Sequence, residues 1–161
     1  MQVEIPKYIT DILTQECKSK IGLKSQNEML YFKFASLEGE ITFNNGNIYQ
    51  GYLKNGTMND EGELVFHDGA SYKGAFKENQ MDGKGLLLYP NGNEYNGEFK
   101  DGKRHGLGTF KSPSLGFEYS GTFTNGRMDG KGKISYINGS VYEGEVRNGR
   151  RHGNGKLVYK D

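Results

Sequence analysis

The chain has 161 residues and a formal net charge of +1, with 25 Gly, 3 Pro, 11 Tyr, 9 Phe and no Trp. Collagen is excluded because the glycines follow no three-residue period, and disorder is excluded because Tyr and Phe recur on a fixed schedule. A chain this poor in apolar residues cannot build a thick core, so a thin array whose units bury rings against their neighbours is expected.

The charge is uneven. Residues 1–94 carry 9 Lys/Arg against 13 Asp/Glu, and residues 95–161 carry 12 against 7. Ends of opposite sign suit a polar attachment or an end-to-tail contact better than uniform binding to nucleic acid. The single cysteine, Cys17, rules out an internal disulfide framework and fits a reducing compartment. No apolar run suggests a signal peptide or a membrane span, so a soluble intracellular protein is expected.

Residues 1–25 belong to no repeat. After Pro6, Ile9, Ile12, Leu13 and Cys17 fall on one helix face, Pro favours the first turn, and Gly22 is a stop signal. This predicts a short helix, either capping the array or binding a partner.

The repeat follows. Tyr49, Tyr72, Tyr95, Tyr119 and Tyr142 open successive copies 23, 23, 24 and 23 residues apart. Gly51, Gly74, Gly97, Gly121 and Gly144 stand two residues later, and Gly62, Gly85, Gly108, Gly132 and Gly155 mark a fourteenth position. A fixed period of this length means one supersecondary unit stacked many times. Counting back from Tyr49 makes residues 26–48 a degenerate copy, so the repeat region is 26–161. Its second half keeps Gly39, Ile41, Phe43 and Asn45-Gly46.

Within a copy the period is 2. Tyr72, Gly74 and Phe76 share one strand face and Lys73 and Lys77 the other. A loop is expected from Glu78 to Asp82, then a second strand with Gly83, Gly85, Leu87 and Tyr89 on one face. Turn dipeptides fall within copies (Asn55-Gly56, Asp101-Gly102, Asn125-Gly126, Asn148-Gly149) and between them (Asn45-Gly46, Asp68-Gly69, Asn91-Gly92, Asn138-Gly139). These tolerate the positive φ that tight hairpins need. No spacer could hold a crossover helix, so the sheet is antiparallel. The extra residue of the 24-residue copy sits in Lys111-Ser112-Pro113-Ser114-Leu115-Gly116. Glycine inside strands leaves room for a ring to lie flat on the main chain. The predicted fold is all-β: a single-layer, twisted antiparallel meander of tandem hairpins of about 23 residues, preceded by the short helix.

The run Tyr95-Asn96-Gly97-Glu98-Phe99-Lys100-Asp101-Gly102-Lys103-Arg104-His105-Gly106-Leu107-Gly108 resembles the MORN-repeat unit at every fixed position, and so does Tyr119 to Gly132. The other copies depart from it at Leu53, Asp60, Asn79 and Val146. The resemblance implies a one-layer sheet serving as a scaffold. Gly97 through Gly108-Thr109-Phe110-Lys111 to Ser120-Gly121, with its oversized copy, is similar to MORN proteins of the radial spoke head in motile cilia. That implies a cytoplasmic, cytoskeletal setting in the axoneme.

An enzyme needs convergent acids, bases, nucleophiles or metal ligands, and the sequence presents none. His105 and His152 share a repeat position with Asn59, Asp82 and Asp129, which marks turn chemistry, and they lie two copies apart, ~19 Å at ~4.8 Å per strand. No cofactor is implied. Two surfaces remain as candidates. One is a basic rim of Lys100, Lys103, Arg104 and His105 aligned with Arg147, Arg150, Arg151 and His152, suited to acidic protein segments or anionic (phosphoinositide) lipid. The other is the aromatic row Tyr72, Phe76, Tyr95, Phe99, Tyr119, Phe123 and Tyr142, open on one side to take a helix or extended peptide. Nothing in the sequence matches a nucleic-acid reader. The C-terminal strand, without a cap before Asp161, invites further sequence, a partner or a second copy. The expected function is a protein-binding scaffold, with membrane tethering and the regulatory segment of a larger kinase as alternatives.

Overall fold

The computed structural model describes residues 36–160. The predicted helix over 1–25 and the first half of the degenerate copy lie outside them. The described strands follow one another in chain order as one antiparallel open sheet of eleven: β1 (Ser36–Thr42), β2 (Ile48–Lys54), β3 (Thr57–Val65), β4 (Ser71–Lys77), β5 (Gln80–Leu88), β6 (Glu94–Lys100), β7 (Lys103–Ser112), β8 (Phe117–Thr124), β9 (Arg127–Tyr136), β10 (Val141–Arg147) and β11 (Arg150–Val158). They form two compact units that divide between Gln80 and Met81.

The register is organised by glycine. In the first unit Gly39 faces Gly51, Gly51 faces Gly62 and Gly62 faces Gly74. In the second, the same cross-strand row runs from Gly85 through Gly97, Gly108, Gly121, Gly132 and Gly144 to Gly155. Tyr49, Tyr95, Tyr119 and Tyr142 each lie over a pair of these glycines. A Cβ on Gly108 would stand 2.5 Å from Tyr95 Oη, and a Cβ on Gly97 would stand 2.5 Å from Gly108 Cα. The close approach of ring to backbone is what excludes every larger residue here.

Two turn geometries alternate, and the dipeptides alone do not distinguish them. Within copies, both turn residues have positive φ, as at Asp101 (49°) and Gly102 (73°), which is the two-residue hairpin turn whose twist matches the strands. The expected loop from Glu78 to Asp82 contracts to this same turn at Glu78-Asn79 (φ 47° and 69°), because β5 begins at Gln80. Between copies only the glycine is left-handed. Gly46 N–H bonds to the Phe43 carbonyl at 2.9 Å and the Asn45 side chain accepts the Asn47 N–H at 3.1 Å. That is the three-residue loop with a glycine bulge.

Inside four of the hairpins the second strand carries two extra residues. Gly97 faces Gly108 and Glu98 faces His105, one step on β6 against three on β7; the hairpins at 49, 119 and 142 repeat the offset. An even insertion leaves the strand's faces unswitched, so the residue opposite Phe99, which is Arg104, belongs to the ring-bearing face. The bulge demands a left-handed residue: Gly83, Gly106, Gly130 and Gly153 supply it, and Asp60 adopts φ 56° in their place.

Candidate interaction surfaces

The aromatic row is the first surface to place. Tyr72 and Tyr95 are fully buried, and Phe76, Phe99, Tyr119, Phe123 and Tyr142 are buried with them. The expectation of a row open on one side is therefore corrected: the rings form a sealed interior. Three contacts explain how a single sheet covers them. Each tyrosine hydroxyl donates to the main-chain carbonyl three residues on, from Tyr49 to Tyr52 at 2.7 Å, Tyr72 to Ala75 at 2.9 Å, Tyr95 to Glu98 at 2.8 Å, Tyr119 to Thr122 at 3.0 Å and Tyr142 to Glu145 at 2.8 Å. One ring face lies on the glycine pair. The rings then meet edge to face: Phe76 contacts Tyr49 at 5.2 Å and Tyr72 at 5.0 Å, and Tyr95 contacts Phe99 at 5.0 Å and Phe123 at 4.8 Å. This is the geometry that ring quadrupoles favour. Burial pushes the Tyr95 hydroxyl pKa up to about 12, against the opposing pull of the Arg104 guanidinium. Burial likewise raises those of Tyr49 and Tyr119.

The basic rim divides in two. Lys100 stands directly opposite Lys103, and Arg147 directly opposite Arg150, at the ends of their hairpins. All four are exposed, and none forms an ion pair among the described residues. Arg104 is different. Its guanidinium lies over the rings of Tyr95, Phe110 and Phe123 at 5.7, 5.2 and 5.5 Å and donates to the Gly126 carbonyl. Arg151 covers the Tyr142 ring at 5.6 Å. Arg104 is thus corrected from a rim cation to cover for the rings, while Arg151 covers its ring and stays exposed. They occupy the repeat position held elsewhere by Met58, Met81 and Met128, where a long flexible side chain closes the aromatic row. That alternation was legible in the sequence, nine residues after each opening tyrosine. His105 and His152 stand opposite Glu98 and Glu145.

The turns of successive hairpins are tied together. The N–H of the second turn residue bonds to a carbonyl in the preceding copy: Asn79 to Met58 at 3.0 Å in the first unit; Gly102 to Met81, Gly126 to Arg104 and Gly149 to Met128, each at 2.9 Å, in the second. Asp82 accepts the Asp101 N–H and Asp129 the Asn148 N–H, both at 3.3 Å. Those two rim carboxylates are therefore engaged with main chain. Arg127, at the tip between the two basic pairs, donates to Asn148 Oδ1 at 3.0 Å and joins them into one row.

The long copy contributes a hollow that the sequence did not disclose. Ser112, Pro113, Gly116, Phe117, Tyr136 and Ile137 line an open, mostly apolar depression of about 340 Å³. Ile137 N–H bonds to the Gly116 carbonyl at 2.8 Å, while Ile137 and Leu115 are 87% and 73% exposed. Ser112 stands two residues after Phe110, where the copy at Tyr72 has Tyr89 after Leu87; it is buried and donates to Asn93 Oδ1 at 2.9 Å. Neither Leu115 nor Ile137 fits the alternation, which is the one signal that could have drawn attention to them.

Tandem ring-on-glycine hairpins are the mark of one family, and its model, described as the MORN repeat, matches residues 49–71, 72–94, 95–116, 119–141 and 142–161. The chain belongs to the MORN-repeat family. MORN repeats point to a module that interacts with protein or membrane, and MORN-repeat proteins are in general non-enzymatic scaffolds. No curated protein matches the chain as a relative. Among the described residues no helix is long and apolar enough to cross a membrane, and no group of His, Cys, Asp and Glu is arranged to hold a metal ion. In the MORN sheet, β11 pairs only with β10 among the described residues. Arg150, Arg151 and Lys156 place charge along it, which discourages edge-to-edge pairing.

Proposed function

We propose that this MORN-repeat chain is a non-enzymatic, protein-binding scaffold in a cytoskeletal assembly, with the radial spoke head of the motile cilium as its setting. The setting rests on the likeness of the long copy to MORN proteins of the spoke head. The protein-binding reading rests on one observation, the row of turns tied to one another by main-chain hydrogen bonds and carrying unpaired Lys and Arg. Such a row is pre-organised, so a partner meets fixed charges without having to order them.

Membrane tethering is the competing reading, and two features weigh against it. The turn tips are Asn-Gly, Asp-Gly and Glu-Asn, with no apolar side chain to enter a bilayer. Asp101 also sits between Lys100 and Lys103 at a tip, which a uniformly anionic surface would oppose. The test combines fractionation with flotation. The protein should remain with demembranated axonemes from ciliated cells, cross-link there to another subunit, and stay unbound to vesicles containing anionic lipid. Release by detergent, together with flotation that disappears in Lys103→Gln/Arg150→Gln, would overturn the scaffold reading in favour of tethering.

A further inference from the structure

The basic turns of the second unit recur at every second strand. Consecutive hairpins are two strands apart, ~9.6 Å at ~4.8 Å per strand. Three tips in succession carry Lys100 with Lys103, then Arg127, then Arg147 with Arg150. Gly126 to Arg104, Gly149 to Met128 and Arg127 to Asn148 are the hydrogen bonds that hold this spacing. Like charges directly opposite one another across a hairpin are unfavourable, yet they occur at Lys100/Lys103 and again at Arg147/Arg150. Asp82 and Asp129 are occupied by main-chain N–H groups, which leaves Asp101, in the turn between Lys100 and Lys103, as the carboxylate within the row.

A ligand crossing these tips at right angles to the strands must present negative charge on one side every ~9.6 Å. A β-strand cannot, because residues three apart, ~10 Å along it, point to opposite sides. An α-helix offers seven-residue steps of ~10.5 Å, which fall ~2 Å out of step over two intervals. A polyproline II segment turns once every three residues with a rise of ~3.1 Å each, so every third side chain returns to the same side after ~9.3 Å. Over the two intervals the mismatch stays below ~1 Å.

We propose that the turn row of β6 to β11 binds an extended acidic segment in the polyproline II conformation, with a carboxylate at every third residue. This rests on the protein-binding reading above and names the partner's chemistry. The segment lies along the row with successive carboxylates at the Lys100/Lys103, Arg127 and Arg147/Arg150 tips.

The test uses the whole chain and two fluorescent peptides of one composition. The first has four Glu-Pro-Pro units in tandem and the second has the four glutamates in one block. Fluorescence anisotropy at low salt should show the periodic peptide binding about 5- to 10-fold more tightly. The preference should vanish in Arg147→Gln/Arg150→Gln and persist in Lys131→Gln/Lys133→Gln, whose lysines stand opposite Glu145 and Glu143 on the sheet. Circular dichroism confirms that both variants fold. Equal affinity for the two peptides, a preference unchanged by the rim variant, or binding of anionic vesicles in place of either peptide would overturn the proposal. Should neither peptide bind while the chain still cross-links within axonemes, the spacing inference falls and the scaffold reading stands. Loss of both overturns both.

Discussion

Replacing Gly108 by alanine tests the packing on which the sheet depends. Its backbone φ is not left-handed, so the substitution carries no strain of that kind, and in an open strand alanine would gain ~0.5–1 kcal/mol. The added Cβ, however, would stand 2.5 Å from Tyr95 Oη, 2.6 Å from Cε2 and 2.7 Å from Cζ. Ordinary contact needs ~3.5 Å or more, so the ring must move by ~1 Å. Phe99 and Phe123 hold it edge to face on both sides, and movement lengthens the Tyr95 hydroxyl bond to the Glu98 carbonyl. Overpacking costs ~1–3 kcal/mol and the weakened buried hydrogen bond adds ~1 kcal/mol. The net loss should be ~2–3 kcal/mol, or ~5–10 °C in Tm for a chain of this size. Thermal and urea unfolding followed by circular dichroism measure it. In a Tyr95→Leu background the ring is gone and Gly108→Ala should cost almost nothing, giving a coupling energy of ~2 kcal/mol. A single-mutant loss below ~0.5 kcal/mol, or additive losses in the double mutant, would refute the account.

Three further outcomes follow from the same packing. Arg104→Met should keep stability within ~1 kcal/mol, because methionine fills this position in other copies, while Arg104→Asp should cost ~2 kcal/mol or more through the uncovered rings; urea midpoints decide. Asp60→Gly should stabilise the fold by ~0.5–1 kcal/mol, since a non-glycine residue at positive φ costs ~1–2 kcal/mol and glycine returns part of that as chain entropy; an unchanged unfolding midpoint would contradict it. Tyr49, Tyr95 and Tyr119 keep folded pKa values above the unfolded value of ~10, so their contribution is complete below pH ~10 and falls as pH rises toward the Tyr95 value of about 12. The urea midpoint should therefore decline across that window, and a flat profile would show that the hydroxyls are not desolvated.

The periodic part of this protein was legible from residues alone. Tyrosine, then glycine two residues on, then an apolar residue two beyond that, is a strand statement, and Asp101-Gly102 or Asn148-Gly149 is a hairpin statement. Both depend on local backbone preference, which a sequence carries position by position. Tertiary structure decided what lies opposite what. The two-residue bulge at Gly106 puts Arg104 beneath rings instead of on the rim, and the ring-on-glycine contact seals the aromatic row that the alternation alone left open. The spacing of the basic turns comes from hydrogen bonds between copies, such as Gly149 to Met128, made by residues 21 positions apart. Register and burial are set by pairing across the sheet, and no single copy contains that information.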